Sequence, residues 1–264
     1  MDELLTERSG GILRVQFNRP AKKNAMTLPM YTGLADLLNE AGKDENVNVV
    51  LLHGAGDSFT AGNDLEDFIK NPPGPGESPQ ARLISALIDF GKPLVAAVHG
   101  VAIGGGTTIL THFDFVYAAD DTKFQLPFIN LALVPEFGSS YLLPRQLGYL
   151  QAAEILMLGE PFSAARAGEL GLVTAVVSTS DVLSRANETA QKLARKPTGA
   201  LRACKGLLKF SERQQLEKSV VRETEEFAAQ VRSADAKEAI SAFLAKRRPD
   251  FARAKPVQPA LKAS

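Results

Sequence analysis

Tryptophan is absent from this chain, and cysteine occurs once, at Cys204. A single thiol excludes an internal disulfide and fits a reducing compartment, so a cytoplasmic location is expected. Histidine is almost as scarce. His53, His99 and His112 have no HxxxH or CxxC context, so no metal site is expected. Neither sign of charge is in excess: 30 basic residues balance 30 acidic ones. A general polyanion-binding role, nucleic acid included, therefore has no support. Long apolar runs are missing too. The most apolar stretch, 94–118, is broken by His99, Gly104–Gly106, His112 and Asp114, which is not the pattern of a membrane span. The start, Met1 to Glu7, is acidic and lacks the apolar core of a signal peptide.

What is present suits a globular protein with a full core. Hydrophobic residues make up 45% of 264, enough for one large domain or a domain with an appendage. Short β-like runs alternate with helical stretches over the first two-thirds. Leu13 to Phe17 alternates like a strand, and Val47 to His53 and Leu94 to Val98 read as buried strands. Thr27 is a suitable N-cap for a helix with Leu34, Leu37 and Leu38 on one face. A second helix carries Leu83, Ile84, Leu87 and Ile88. Between them, Asn71 to Pro79 reads as a mobile loop. Phe113 to Tyr117 reads as a further strand, and from about Asp181 the pattern is helical throughout. The chain is expected to divide into a core over 1–195 and a helical region over 196–264, with a frayed tail from Lys255.

Two stretches stand out. Ser58-Phe59-Thr60-Ala61-Gly62-Asn63-Asp64-Leu65 follows one buried strand, and His99 to Thr108, with glycine at 104, 105 and 106, follows another. Three glycines let a backbone approach a ligand with no Cβ in the way. The residues after them can open a helix, whose free N–H groups would point at an anion. Two such donors converging on one oxygen make an oxyanion hole.

These stretches resemble the crotonase superfamily, which includes the enoyl-CoA hydratases and isomerases. Other landmarks are Phe17-Asn18-Arg19-Pro20 with Asn24-Ala25-Met26, Phe124-Gln125-Leu126-Pro127, Gly138-Ser139-Ser140 with Leu143-Pro144-Arg145, and Gly171-Leu172-Val173. The resemblance runs from about Leu13 to Phe251. It implies an α/β fold in which repeated ββα units wind into a spiral core, with C-terminal helices packing on neighbouring subunits of a homotrimer or a dimer of trimers. It also implies that the N–H groups of Asn63 and Gly105 form the oxyanion hole for an acyl-CoA thioester.

Departures from the family pattern bear on the reaction. Hydratases of the family handle water with two glutamates, and this chain has Thr108 and Phe128 at those positions. Hydration needs a base and an acid, and neither side chain is one near neutral pH. Glu136 lies where several isomerases of the superfamily carry their single catalytic acid. One carboxylate suffices to move a proton from C2 to C4 of a 3-enoyl thioester. Apolar neighbours such as Phe128, Val134 and Phe137 would raise its pKa. A plain helix-start acid is the alternative role for Glu136.

Coenzyme A enters as part of the substrate, and no prosthetic group is implied. The resemblance places it near Lys22, Ala61, Asp64 and Leu65, with Phe243 and Lys246 reaching it from a neighbouring subunit; Lys246-Arg247-Arg248 can equally be a solvated face. Phe59, Phe68, Leu83, Leu87 and Phe128 are candidates for the acyl pocket or for plain core. An isomerase using Glu136 is the function expected; the alternatives are a hydratase or other acyl-CoA enzyme with an unrecognised base, and a non-catalytic acyl-CoA-binding protein.

Overall fold

Two strands begin the chain, β1 (Leu4–Ser9) and β2 (Ile12–Phe17), paired antiparallel. α1 (Leu28–Lys43) starts where Thr27 accepts a hydrogen bond from the Met30 N–H, and it buries Met30, Leu34 and Leu38 along one face. β3 (Val49–Gly54) and the short α2 (Leu65–Lys70) follow. α3 (Pro79–Asp89), capped by Ser78, packs against α1. The structure, a computed structural model, describes residues 2–70 and 78–251, without the side chains of residues 68 and 69. Most of the loop expected to be mobile, residues 71–77, and the tail expected to be frayed lie outside the described residues.

The spiral comes next. β4 (Leu94–Val98), β5 (Val101–Ile103) and α4 (Gly105–Thr108) form one turn of it; β6 (Phe115–Ala119) and β7 (Lys123–Gln125) begin another. α5 (Ser139–Leu147) and α6 (Tyr149–Leu158) lead to β8 (Phe162–Ser163), α7 (Ala164–Glu169) and β9 (Ala175–Val177). One sheet has the order β1-β2-β3-β4-β6-β9, parallel from β2 onward. The other has the order β5-β7-β8. Each β-pair of the spiral thus gives one strand to each sheet. This is the ββα winding expected from the resemblance.

β3 and β4 read as unbroken apolar runs because both their faces are covered. On one side Val50, Leu52, Leu94 and Ala96 meet the α1 and α3 layer. On the other, Val49, Leu51, Val95 and Ala97 meet Val182, Ala186 and Ala190 of α8 (Val182–Ala194). The remaining elements are α9 (Thr198–Phe210), α10 (Arg213–Gln230) and α11 (Ala234–Leu244). α10 packs on α5, and α11 on the 3-10 turn Ile129–Leu131, within the same chain. Among the described residues no helix is long and apolar enough to cross a membrane.

Candidate active site

The stretch from 58 to 65 is shaped from below by Asn24. Its side-chain amide donates to Ala55 O (2.8 Å) and Ser58 O (2.7 Å), and its oxygen accepts from the Arg19 N–H. Met26 then pairs across to the residues flanking Asn63: Met26 N donates to Gly62 O (2.7 Å), and Asp64 N donates to Met26 O (2.9 Å). The Asn63 N–H is left without an acceptor among the described residues.

The glycine triplet divides its labour. Gly104 sits at φ 53° and ψ −119°, a conformation that glycine permits. A Cβ on Gly106 would meet Thr60 Cγ2 at 2.5 Å, so this glycine allows α4 to press on the 58–65 stretch. Gly105 opens α4, and its N–H has no acceptor among the described residues, as at any first helical turn. The two stretches meet where a Cβ on Gly62 would stand 2.5 Å from Ile103 O and 3.7 Å from Gly105 N. Asn63 and Gly105 both border one cavity of about 640 Å³.

Glu136 stands next to this place. Its Oε1 lies 2.9 Å from the point where a Gly105 Cβ would be, and it has no hydrogen-bond partner among the described residues. The side chain is buried. Burial, with the nearby charge of Glu223 adding to it, pushes its carboxyl pKa up to about 8. The backbone after it is unusual. Phe137 has φ 62° and Gly138 has φ 70°, two left-handed residues in a row. Three contacts hold that turn. His112 Nε2 lies 2.7 Å from Phe137 O, while Glu223 of α10 accepts from Gly138 N (2.6 Å) and Ser140 N (2.7 Å). Burial lowers the His112 pKa to about 4, so its ring is neutral and donates there. Burial raises Glu223 to about 6, against the opposing pull of the Ser140 and Gly138 hydrogen bonds.

Tyr31 of α1 completes the group. Its hydroxyl donates to Asn63 Oδ1 at 2.5 Å and lies 3.2 Å from the same Gly105 Cβ point. Burial, then the charge of Glu136, raises its pKa well above the phenolic value, so it remains a donor. Asn63, Gln80, Ile84, Glu136, Phe137 and Glu223 border a small chamber of about 40 Å³. Asn63 therefore faces both the large cavity and the chamber that holds the acid.

The large cavity gathers most of the residues expected from sequence. Lys22, Ala61, Asp64 and Leu65 border one part of it, and Phe128 and Phe243 border another. Asp64 is fixed by Arg19 (2.9 Å) and caps the start of α2, while Lys22 is exposed and 3.7 Å from Glu66. Phe243 borders the cavity of its own chain, because α11 folds back onto the 129–131 turn. It was expected to arrive from a neighbouring subunit. Lys246 does not border the cavity; it is exposed at the left-handed residue just past α11.

Three pocket candidates are core. Phe59 is fully buried edge-on to Phe17, with centroids 5.6 Å apart. Leu83 and Leu87 are fully buried and belong to the core in which α3 packs on α1. Helical phase presents Gln80, Ala81 and Ile84 to the chamber instead. The side chain of Phe68 lies outside the described residues. A further cavity of about 670 Å³, bordered by Arg14, His53 and Asn187, lies on the α8 side of the sheet and holds none of the expected residues.

Sequence reasoning missed Tyr31 and Glu223. Tyr31 sits beside Met30 and Leu34 and reads as one more core aromatic. Glu223 carried a usable signal, for it interrupts a stripe of Leu216, Val220 and Phe227 at helical spacing. An acid inside such a stripe is buried and needs a partner.

Comparison with known proteins accords with this arrangement. The family model described as enoyl-CoA hydratase/isomerase matches residues 7–254. The 1,2-epoxyphenylacetyl-CoA isomerase of Escherichia coli is 35% identical over 258 residues, covering 95% of this chain and 98% of its own length. Enoyl-CoA delta isomerase 2 of Rattus norvegicus is 37% identical over 219 residues, which is 81% of this chain but 56% of that longer protein. The crystal structure of an enoyl-CoA hydratase/isomerase from Pseudoalteromonas atlantica T6c superposes with a TM-score of 0.91 at 36% identity, covering 95% of this chain and 100% of the other. Relatives named as hydratases stand beside those named as isomerases.

Proposed function

The chain belongs to the enoyl-CoA hydratase/isomerase family, and we propose that it is an enoyl-CoA isomerase that moves a double bond from C3 to C2 of an acyl-CoA thioester. The observation that carries this is the position of Glu136, a buried carboxyl with an unpartnered oxygen beside Gly105. The positions of the two hydratase acids hold Thr108, whose hydroxyl is turned back to Gly104 O, and Phe128.

The CoA portion of the substrate occupies the large cavity along Lys22, Ala61, Asp64 and Leu65, and its thioester oxygen receives the N–H groups of Asn63 and Gly105. Glu136 takes a proton from C2. The electron pair moves into the carbonyl, and the resulting dienolate carries its charge on the thioester oxygen, where preorganised donors act most strongly. Glu136 then returns the proton at C4, which leaves the double bond between C2 and C3. Water takes no part. Burial helps here, since a carboxyl desolvated among Phe137, Ile84 and Phe227 holds its proton for redelivery.

Hydration is the second reading, and a second carboxylate in the chamber, Glu223, favours it. Both Glu223 oxygens already accept backbone N–H groups, which is why the isomerase reading stands first. A pure acyl-CoA binder would have no use for two free N–H groups and a buried acid with an unpartnered oxygen, each of which costs stability. A homotrimer or dimer of trimers fits the exposed Leu207, Leu208 and Phe210 on α9. The exposed single thiol, Cys204, fits a reducing cytoplasm.

The test is to supply 3-enoyl-CoA and 2-enoyl-CoA separately and follow double-bond migration and hydration in each. Fast migration with slow hydration is expected. Fast hydration without migration would replace the isomerase reading, and inactivity at every chain length would move the binding reading ahead.

A further inference from the structure

Glu223 is the buried acid of α10 and reaches across to the turn that carries Glu136. Its two oxygens take one backbone N–H each, from Gly138 and Ser140. That clamp closes the left-handed pair Phe137-Gly138, a backbone that Phe137 does not favour. Glu136 and Glu223 both border the small chamber, and no lysine or arginine is among the described residues around it.

The other groups near the acids are few. From α1 comes the Tyr31 hydroxyl, and from α3 comes the uncharged Gln80. Behind Phe137 stands His112, which follows α4 and is neutral, with the Lys209 ammonium of α9 donating to His112 O at 3.1 Å. A helix N-terminus can be capped by serine or asparagine without burying a charge. Burying a second carboxylate here costs stability that a cap alone does not require.

We propose that Glu223 is a positioning residue for Glu136, clamping the turn that carries it and setting a second negative charge against it across the small chamber. This rests on the reading of Glu136 as the proton shuttle. When Glu136 takes the C2 proton, one of two like charges in the chamber disappears, so repulsion that was present before the step is relieved by it. Glu223 itself exchanges no proton with the substrate.

Nuclear magnetic resonance of the full chain, labelled with ¹³C at the glutamate carboxyl carbons, tests this without turnover. The Glu136 signal is the one missing in Glu136→Gln. Titrated in the parent and in Glu223→Gln, its midpoint should fall by about one unit or more once the like charge is gone. The rising limb of the pH profile of kcat/KM should move the same way. Glu223→Asp keeps the charge but shortens the reach, so it should retain the high midpoint while losing rate. An unmoved Glu136 midpoint in Glu223→Gln, or an equal fall in both variants, would overturn the proposal. So would full activity in Glu223→Gln with an unchanged pH profile. If the midpoint falls as expected while the parent isomerises nothing, the positioning role stands and the isomerase reading fails.

Discussion

The two halves of this site are built on different principles. The half around Asn63 and Gly105 is backbone: free N–H groups shaped by glycines and by the Asn24–Met26 segment that holds the 58–65 stretch, with Gly104 at φ 53° opening a helix of four residues. The half around Glu136 is side chain, assembled from residues far apart, with Gly138 and its partner Glu223 separated by 85 in sequence number. Side-chain substitution leaves the backbone half's donors in place, because a peptide N–H belongs to every residue but proline. The acid half can be retuned, because charge, burial and reach change with each side chain. Relatives with both isomerase and hydratase names around one fold are in keeping with that division.

The largest expected effect comes from removing the acid. Glu136→Gln keeps shape and cannot accept the C2 proton, so kcat on 3-enoyl-CoA should fall about 10²–10⁴-fold, the range of a positioned general base. Binding of the thioester should be roughly kept. In the parent, kcat/KM should climb with pH toward about 8, as Glu136 releases its proton. The same raised pKa has a cost in stability. Between 4.5 and about 8 the folded chain holds a proton that the unfolded chain has released. Stability therefore falls as pH rises through that window, and Glu136→Gln should flatten the fall. Denaturant unfolding at pH 6 and pH 9 in both proteins checks this, and equal slopes would place the Glu136 pKa near its ordinary value.

How far the sequence could be read follows the same division. β3, β4 and the apolar faces of α1 and α3 were legible because period and burial are local signals. The predicted strand at 113–117 lies two residues ahead of β6 at Phe115–Ala119, since Phe113 is apolar without pairing. The strands of the small sheet, two or three residues each, leave no periodicity to read. The glycine stretches were plain because unusual backbone demands unusual residues. Glu136 stands out through family position and Glu223 only as an acid inside an apolar stripe, while nothing local marks Tyr31, whose partners only the fold supplies. For Leu83 and Leu87 the sequence leaves pocket and core both open, because the face of a helix is readable from spacing while its direction is not.

Gly105→Ala breaks the comparison from the middle. The N–H donor survives, but the new Cβ would stand 2.9 Å from Glu136 Oε1 and 3.2 Å from the Tyr31 hydroxyl. The acid must move, and a displacement of about 1 Å can cost about 10²-fold in rate. Gly106→Ala one residue on meets Thr60 instead, at 2.5 Å from Cγ2 and 2.9 Å from the backbone oxygen. It should lower the melting temperature more than Gly105→Ala does, through overpacking of about 1–3 kcal/mol. Rates and melts of the two variants side by side would show whether catalytic and packing roles separate at adjacent glycines. Similar losses in both measurements would mean that they do not.

The smallest effect is expected outside both halves, at Lys246, which does not border the large cavity. It is exposed beyond the end of α11, and Phe243 three residues earlier borders the large cavity. If Lys246 meets the phosphate end of coenzyme A, the contact is the same in ground and transition states, because no charge changes there during the reaction. Lys246→Ala should then raise KM for the acyl-CoA a few-fold and leave kcat unchanged. Added salt should shrink the difference between parent and variant, since an exposed charge contact is screened within about 8–10 Å at moderate ionic strength. An unchanged KM at low salt would put Lys246 on the solvated face with Arg247 and Arg248, and leave recognition of the coenzyme to Lys22 and the residues around Asp64.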